Sequence, residues 1–249
     1  SSRNDLKKAK SLTNSGSVYF KQCDYKKAEK FHQEAVDLLK SCKCESTAEY
    51  ADALSGLGLD ILYLNKHDES FKKINEAYEI RMKINNTKDH QDLSESLYSL
   101  GTNLFFKRDI NASLDYYLKA YEMLKRILNN SDNPNLAQFI HSIGINYSCL
   151  GNHKKALEYS FKAYEMRKRI FNEYTHPDLA QSLKNISEEY SNLGDHKKSL
   201  EYNLKSYEMR KELNKDKDHP DTAQSLNSIG VNYLNLEDYK TAWEYFIKA

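Results

Sequence analysis

Eight histidines and four cysteines are the residues of this chain with most chemistry to offer, and their spacing decides what each could do. Cys42-x-Cys44 has the form of half a thiolate metal site, but no second Cys or His pair stands at ligand spacing to complete it. With Cys23 and Cys149 the cysteines number four, too few for a disulfide framework in 249 residues. His67, His153 and His196 share one register position, and His90, His176 and His219 share another, with a whole repeat or more between members. That spacing suits structural or capping duty rather than a shared ligand or an acid–base pair. Only His32 and His141 fall outside the pattern, and neither has a Cys, Asp or Glu set at catalytic spacing. No G-x-x-x-x-G-K-[ST], H-E-x-x-H, G-x-S-x-G or C-x-x-C occurs, and Gly56-x-Gly58 lacks the third glycine of a dinucleotide loop. Adjacent carboxylates such as Glu188-Glu189 point about 100° apart on a helix. The chain reads as no enzyme, with no cofactor and no metal.

The elements that would position side chains repeat at a fixed interval. Pro134, Pro177 and Pro220 are spaced by 43 residues. Gly58, Gly101, Gly144 and Gly230 keep the same beat, with Ser187 in the missing step and Gly16 placed 42 residues before Gly58. A period of this size predicts stacked supersecondary units rather than one globule around a cleft. In the fourth unit a helix is expected from Pro134 to about Leu150, a turn at Gly151-Asn152-His153, and a second helix from Lys154 to about Phe171. Proline suits the first helical position, where its missing N–H has no helical partner. Gly151 and Gly194 stop the first helix where positive φ costs least.

Three positions per unit must be small if two helices are to touch closely. They are Gly16, Gly58, Gly101, Gly144, Ser187 and Gly230; then Ala28, Ser70, Ser113, Ala156, Ser199 and Ala242; then Ala35, Ala77, Ala120, Ala163, Ser206 and Ala249. Large apolar residues keep step with them. Leu12, Leu54, Leu97, Ile140, Leu183 and Leu226 stand four before the first small position, and Leu57, Leu100, Ile143, Ile186 and Ile229 just before it. Together these form one apolar stripe per helix. The sole tryptophan, Trp243, aligns with Leu114, Leu157 and Leu200 and is expected in the core.

This spacing resembles the tetratricopeptide repeat, with its large–x2–large–small–x2–Tyr first helix and small residues in the second. The resemblance covers the chain in six units, roughly 4–46, 47–89, 90–132, 133–175, 176–218 and 219–249, the last one truncated, and treats 1–249 as a single array. The period departs from the usual 34 residues, and the longer unit is most similar to the kinesin light chain and nephrocystin type. His176-Pro177-Asp178-Leu179-Ala180, His219-Pro220-Asp221, Tyr164-Glu165-Met166-Arg167-Lys168 and Tyr207-Glu208-Met209-Arg210-Lys211 carry that likeness. The light chain's heptad coiled coil is absent, so motor attachment does not follow. The fold implied is all-α, a right-handed α-solenoid of about six helix-turn-helix repeats.

In such arrays the first helices line a concave groove, at positions six and three before the small residue and one and four after it. On this grid the partner-binding groove comprises Tyr98, Phe105, Gln138, His141, Gln181, Lys184, Glu188, Gln224 and Asn227, with Leu62 as a further apolar anchor and Asn103, Asn146 and Asn232 on its flank. A Gln138–Gln181–Gln224 ladder could hold an extended peptide, because amides both donate and accept. The lysine-plus-asparagine carboxylate clamp of some tetratricopeptide co-chaperones has no match here. The expected function is a non-catalytic scaffold or adaptor for a protein or peptide ligand. Two alternatives stand beside it: a sensory or regulatory segment of a larger protein, and a homo-oligomer built through an uncapped C-terminal end.

Composition bounds the remaining partners. With 37 basic and 36 acidic residues the net charge is +1, so no single-sign field draws the chain to nucleic acid or membrane. No run of about 18 apolar residues occurs. The Ser1-Ser2-Arg3 opening, without methionine or a hydrophobic leader, reads as an excised fragment. Sequons such as Asn185-Ile186-Ser187 fall within expected packed helix, which favours a cytoplasmic location.

Overall fold

A computed structural model of the chain describes residues 2–86, 88–172, 174–215 and 219–249. They form twelve α-helices and, among the described residues, no strand. The chain divides into two compact units, Ser1–Asn130 and Ser131–Ala249. The N-terminal unit holds α1 (Ser2–Lys21), α2 (Tyr25–Ser41), α3 (Ala48–Tyr63), α4 (His67–Ile84), α5 (Gln91–Phe106) and α6 (Ile110–Ile127). The C-terminal unit holds α7 (Pro134–Cys149), α8 (His153–Ile170), α9 (Pro177–Asn192), α10 (His196–Leu213), α11 (Pro220–Asn235) and α12 (Tyr239–Lys248). In each unit consecutive helices pair as hairpins, and each hairpin packs on the next.

Local sequence sets the helix ends. Pro134, Pro177 and Pro220 open α7, α9 and α11. A histidine is the N-cap of α5, α9 and α11: His90, His176 and His219 accept from the backbone N–H of Asp92, Asp178 and Asp221. Asp24, Asp109, Asn152, Asp195 and Asp238 cap five of the six second helices by accepting from the amide three residues on, and Lys66 before α4 makes no such bond. Between paired helices the chain turns through positive φ at Gly151 and Gly194, as expected. Cys23, Asn65, Arg108 and Glu237 make the same turn without glycine.

All the small positions are buried except Ala249. At Gly58 a Cβ would lie 2.5 Å from Ile74 Cγ1, and at Gly101 it would lie 2.8 Å from the Tyr117 ring, so these helices meet too closely for a side chain. Gly56 lies off the grid, and its reason is a histidine. His32 is 1% exposed, and a Cβ on either Gly16 or Gly56 would fall within 2.8 Å of several of its ring atoms. Both ring nitrogens are engaged, Nδ1 with Asp60 Oδ2 at 2.5 Å and Nε2 with the Thr13 carbonyl at 3.2 Å. The ring therefore cannot retreat. Gly56→Ala should destabilise the N-terminal unit by about 1–3 kcal/mol, although alanine favours helix by about 1 kcal/mol. A denaturation midpoint unchanged or raised would show that the ring has room to move.

Two expectations need correction. Asn103, Asn146 and Asn232 do not flank a groove; all are at most 2% exposed. The stripe two residues after the small position faces the preceding hairpin's second helix in four of the repeats. There Asn103 donates to the His67 carbonyl, Asn232 to Ser199 Oγ, and Glu189 pairs with His153 at 2.9 Å. Asp60, on the same stripe, meets His32 of α2. Trp243, expected in the core, is 66% exposed, whereas Leu157 and Leu200 at the same register are half-buried. A further hairpin packs beyond each of those leucines, whereas Trp243 lies on α12, the last helix described.

Candidate partner-binding face

Four solvent-side positions per first helix fall where the apolar stripe leaves off. Of the nine residues expected to line a groove, Tyr98 and Phe105 lie on α5 of the N-terminal unit. The other seven lie in the C-terminal unit: Gln138 and His141 on α7, Gln181, Lys184 and Glu188 on α9, Gln224 and Asn227 on α11. None of the nine is buried. Leu62 is, at 1% exposure, so it belongs to the core and offers no anchor. Tyr98 packs against Tyr117, with ring centroids 5.0 Å apart. Val231 and Leu234 add apolar surface on α11, 46% and 45% exposed.

Contacts join α7, α9 and α11 across this face. Lys184 Nζ lies 3.3 Å from Glu188 Oε1 and donates to Gln224 Oε1 at 3.4 Å. Asn185 meets His141 Nδ1 at 3.2 Å and Gln181 Nε2 at 2.8 Å. The glutamines are less free than a ladder requires. Gln138 Oε1 accepts from Arg167 Nη2 at 2.9 Å, and Gln181 Oε1 from Arg210 Nη2 at 3.1 Å.

Those arginines are the residues that sequence reasoning missed. Arg81, Arg167 and Arg210 stand 23 residues after the small position, where Leu39 and Leu124 stand in other repeats. Each is at most 9% exposed. Each reaches forward to a serine of the next first helix, Ser96, Ser182 or Ser225, at 2.7–3.0 Å. Each also reaches back to its own repeat's first helix, where Arg81 meets Asp52 at 2.6 Å. A fork of five donors on a long stem can tie three helices where leucine can only fill space. The signal was present in the repeated Met-Arg-Lys of α8 and α10, but the partners lie 15 and 29 residues away.

His141 is half-buried, and its pKa is pushed down to about 4, first by loss of solvent and then by the Arg167 charge, with Asp178 opposing. The unfolded chain then binds the extra proton at the ordinary value of 6.5 while the folded one resists it. The contribution to stability is full above pH 6.5 and is lost as pH falls toward 4, up to about 3 kcal/mol. His141→Gln should flatten the stability profile across that window. An unaltered profile would mean that His141 is solvated.

Among the described residues no three His, Cys, Asp or Glu side chains gather to hold a metal ion, and no helix is long and apolar enough to cross a membrane. The Tetratricopeptide repeat family model matches residues 49–126 and 135–212, more than half of the chain. The chain belongs to the tetratricopeptide repeat family. No curated protein matches it. Among solved structures, this tetratricopeptide repeat protein is similar to BtubC (BKLC) from P. vanneervenii, at 18% identity and a TM-score of 0.71 over 84% of this chain and 82% of that one. It is also similar to the nearly identical repeats of a putative kinesin light chain from Podosopora anserina, at 13% identity and a TM-score of 0.67 over 80% and 92%. A Rap protein complexed with Competence and Sporulation Factor matches at 16% identity and a TM-score of 0.66 over 95% and 72%. At these identities the likeness is one of fold, and it includes the kinesin light chain type of repeat.

Proposed function

We propose that the protein is a non-catalytic interaction scaffold whose C-terminal unit binds an extended peptide segment along the face of α7, α9 and α11. The observation that supports this most is the composition of α11. There Gln224 and Asn227 stand exposed beside the uncovered Val231 and Leu234, so backbone-pairing amides adjoin apolar anchors on one helix face. An extended segment needs both: amides for its unpaired N–H and C=O groups, and apolar surface for alternate side chains. The complex of a Rap protein with Competence and Sporulation Factor gives a fold-level precedent for a bound partner. A cytoplasmic setting goes with this reading, because all four cysteines are free thiols and Ser187 of the Asn185 sequon is buried in α9.

Selection of peptides from a displayed library on the full chain tests the proposal. Peptides so selected should bind a folded Lys184→Glu/Asn227→Asp variant at least about tenfold more weakly, a loss of about 1.4 kcal/mol. Gln181 is left intact because Arg210 leans on it. Equal binding by wild type and variant would move the site elsewhere. Self-association through α12 is a second reading, favoured by Tyr239, Trp243 and Ile247, which are 65%, 66% and 68% exposed. Light scattering that finds one monomeric mass at all concentrations would count against it.

A further inference from the structure

Three hydrogen bonds in the C-terminal unit run in one direction, and the first residue in the row has no choice of role. Arg210 is 7% exposed, and a guanidinium can only donate. Its Nη2 lies 3.1 Å from the end of Gln181, so the atom facing it must be the oxygen. The Gln181 amide nitrogen is then turned toward Asn185, 2.8 Å away, which must answer with Oδ1. That leaves the Asn185 amide nitrogen facing His141 Nδ1 at 3.2 Å, so Nδ1 accepts and the imidazole proton sits on Nε2. The opposite tautomer would reverse both amides and set the Gln181 NH2 against the guanidinium, two donors with no acceptor in a buried place.

We infer that Arg210 is a positioning residue: through Gln181 and Asn185 it holds His141 as the neutral Nε2–H tautomer, so that this helix face presents a hydrogen-bond donor and takes a peptide carbonyl oxygen there. The second half of the statement rests on the peptide-binding reading; the first does not. The groups facing His141 agree with a neutral ring. Burial and the Arg167 charge act against protonation, and only Asp178 acts for it. The row is confined to one repeat. The register position of Asn185 holds Gly56, Ser99, Ser142 and Ser228 in four other repeats, none long enough to relay an amide bond, and where the first repeat has Asn14, Lys10 and Leu39 stand in place of Gln181 and Arg210.

Nitrogen-15 NMR of the full chain at pH 8, without ligand, reads the tautomer directly, with His141→Gln identifying the signals. Wild type should show His141 protonated at Nε2. Gln181→Glu is the decisive variant, because Asp52 already shows a carboxylate serving an arginine of this kind at the same register. Glu at 181 accepts from Arg210 and from Asn185 alike. Asn185 must then turn its oxygen to His141, and the proton should move to Nδ1. A folded Arg210→Met variant, freed of the fixed donor, should show a mixture of the two tautomers. Nδ1–H in wild type, or Nε2–H persisting in Gln181→Glu, would overturn the assignment. Because no peptide is present, failure here is distinct from failure of peptide binding, which the selected-peptide experiment reads alone.

Discussion

Replacing Asp60 by alanine should destabilise the N-terminal unit by about 3–5 kcal/mol. Asp60 is 0% exposed, and its Oδ2 is the partner of His32 Nδ1 at 2.5 Å. The imidazole is itself 1% exposed and wedged against Gly16 and Gly56, so alanine leaves a buried polar nitrogen with nowhere to turn. Burial outweighs the imidazole and holds the Asp60 carboxyl above the ordinary carboxylate range. A buried pair of this kind contributes little net stability against an apolar pair, yet breaking it is costly. The double variant His32→Leu/Asp60→Leu should therefore recover part of the loss. Denaturant titration of the three proteins checks this. A loss under about 1 kcal/mol for Asp60→Ala would mean that water reaches His32.

The second large effect is expected at Arg210. Arg210→Ala removes donors from the Asp221 carbonyl at 3.1 Å, Ser225 Oγ at 3.0 Å and Gln181 Oε1 at 3.1 Å. Burial disfavours the guanidinium charge, while the Asp221 and Glu188 carboxylates favour it, so the net cost is set by the acceptors left behind. Three such groups put the loss at about 2–4 kcal/mol. Because each hairpin of a repeat array is held mainly by its neighbours, the loss should be local. Hydrogen exchange should show α11 less protected and α3 and α4 unchanged. Unchanged protection in α11 would mean that the guanidinium does not tie α10 to it.

What the sequence disclosed and what it hid divide along a physical line. Helices, turns and caps were legible because they are local: a proline at N1, a histidine accepting from the amide two residues on, a glycine at positive φ. Small positions were legible because twelve or nineteen residues of hairpin return each helix to its own partner. Hidden were the groups that reach the preceding or following hairpin. His32 meets Asp60 28 residues on, and Arg210 meets Ser225 15 residues on. No short-range pattern marks such pairs, and a glycine like Gly56 makes sense only once the ring beside it is placed. On the stripe expected to face solvent, Leu62 proved to be core, and Gln138 and Gln181 proved to be partly spoken for by buried arginines.

The most direct test of the account is a photocrosslink. A benzophenone amino acid at Asn227, on the first-helix face of α11, is compared with one at Lys205, on the second helix α10. With a library-selected peptide bound, the crosslink should form from position 227 and not from 205. Crosslinking from 205 alone would place the partner on the second helices and contradict the assignment of the first-helix face.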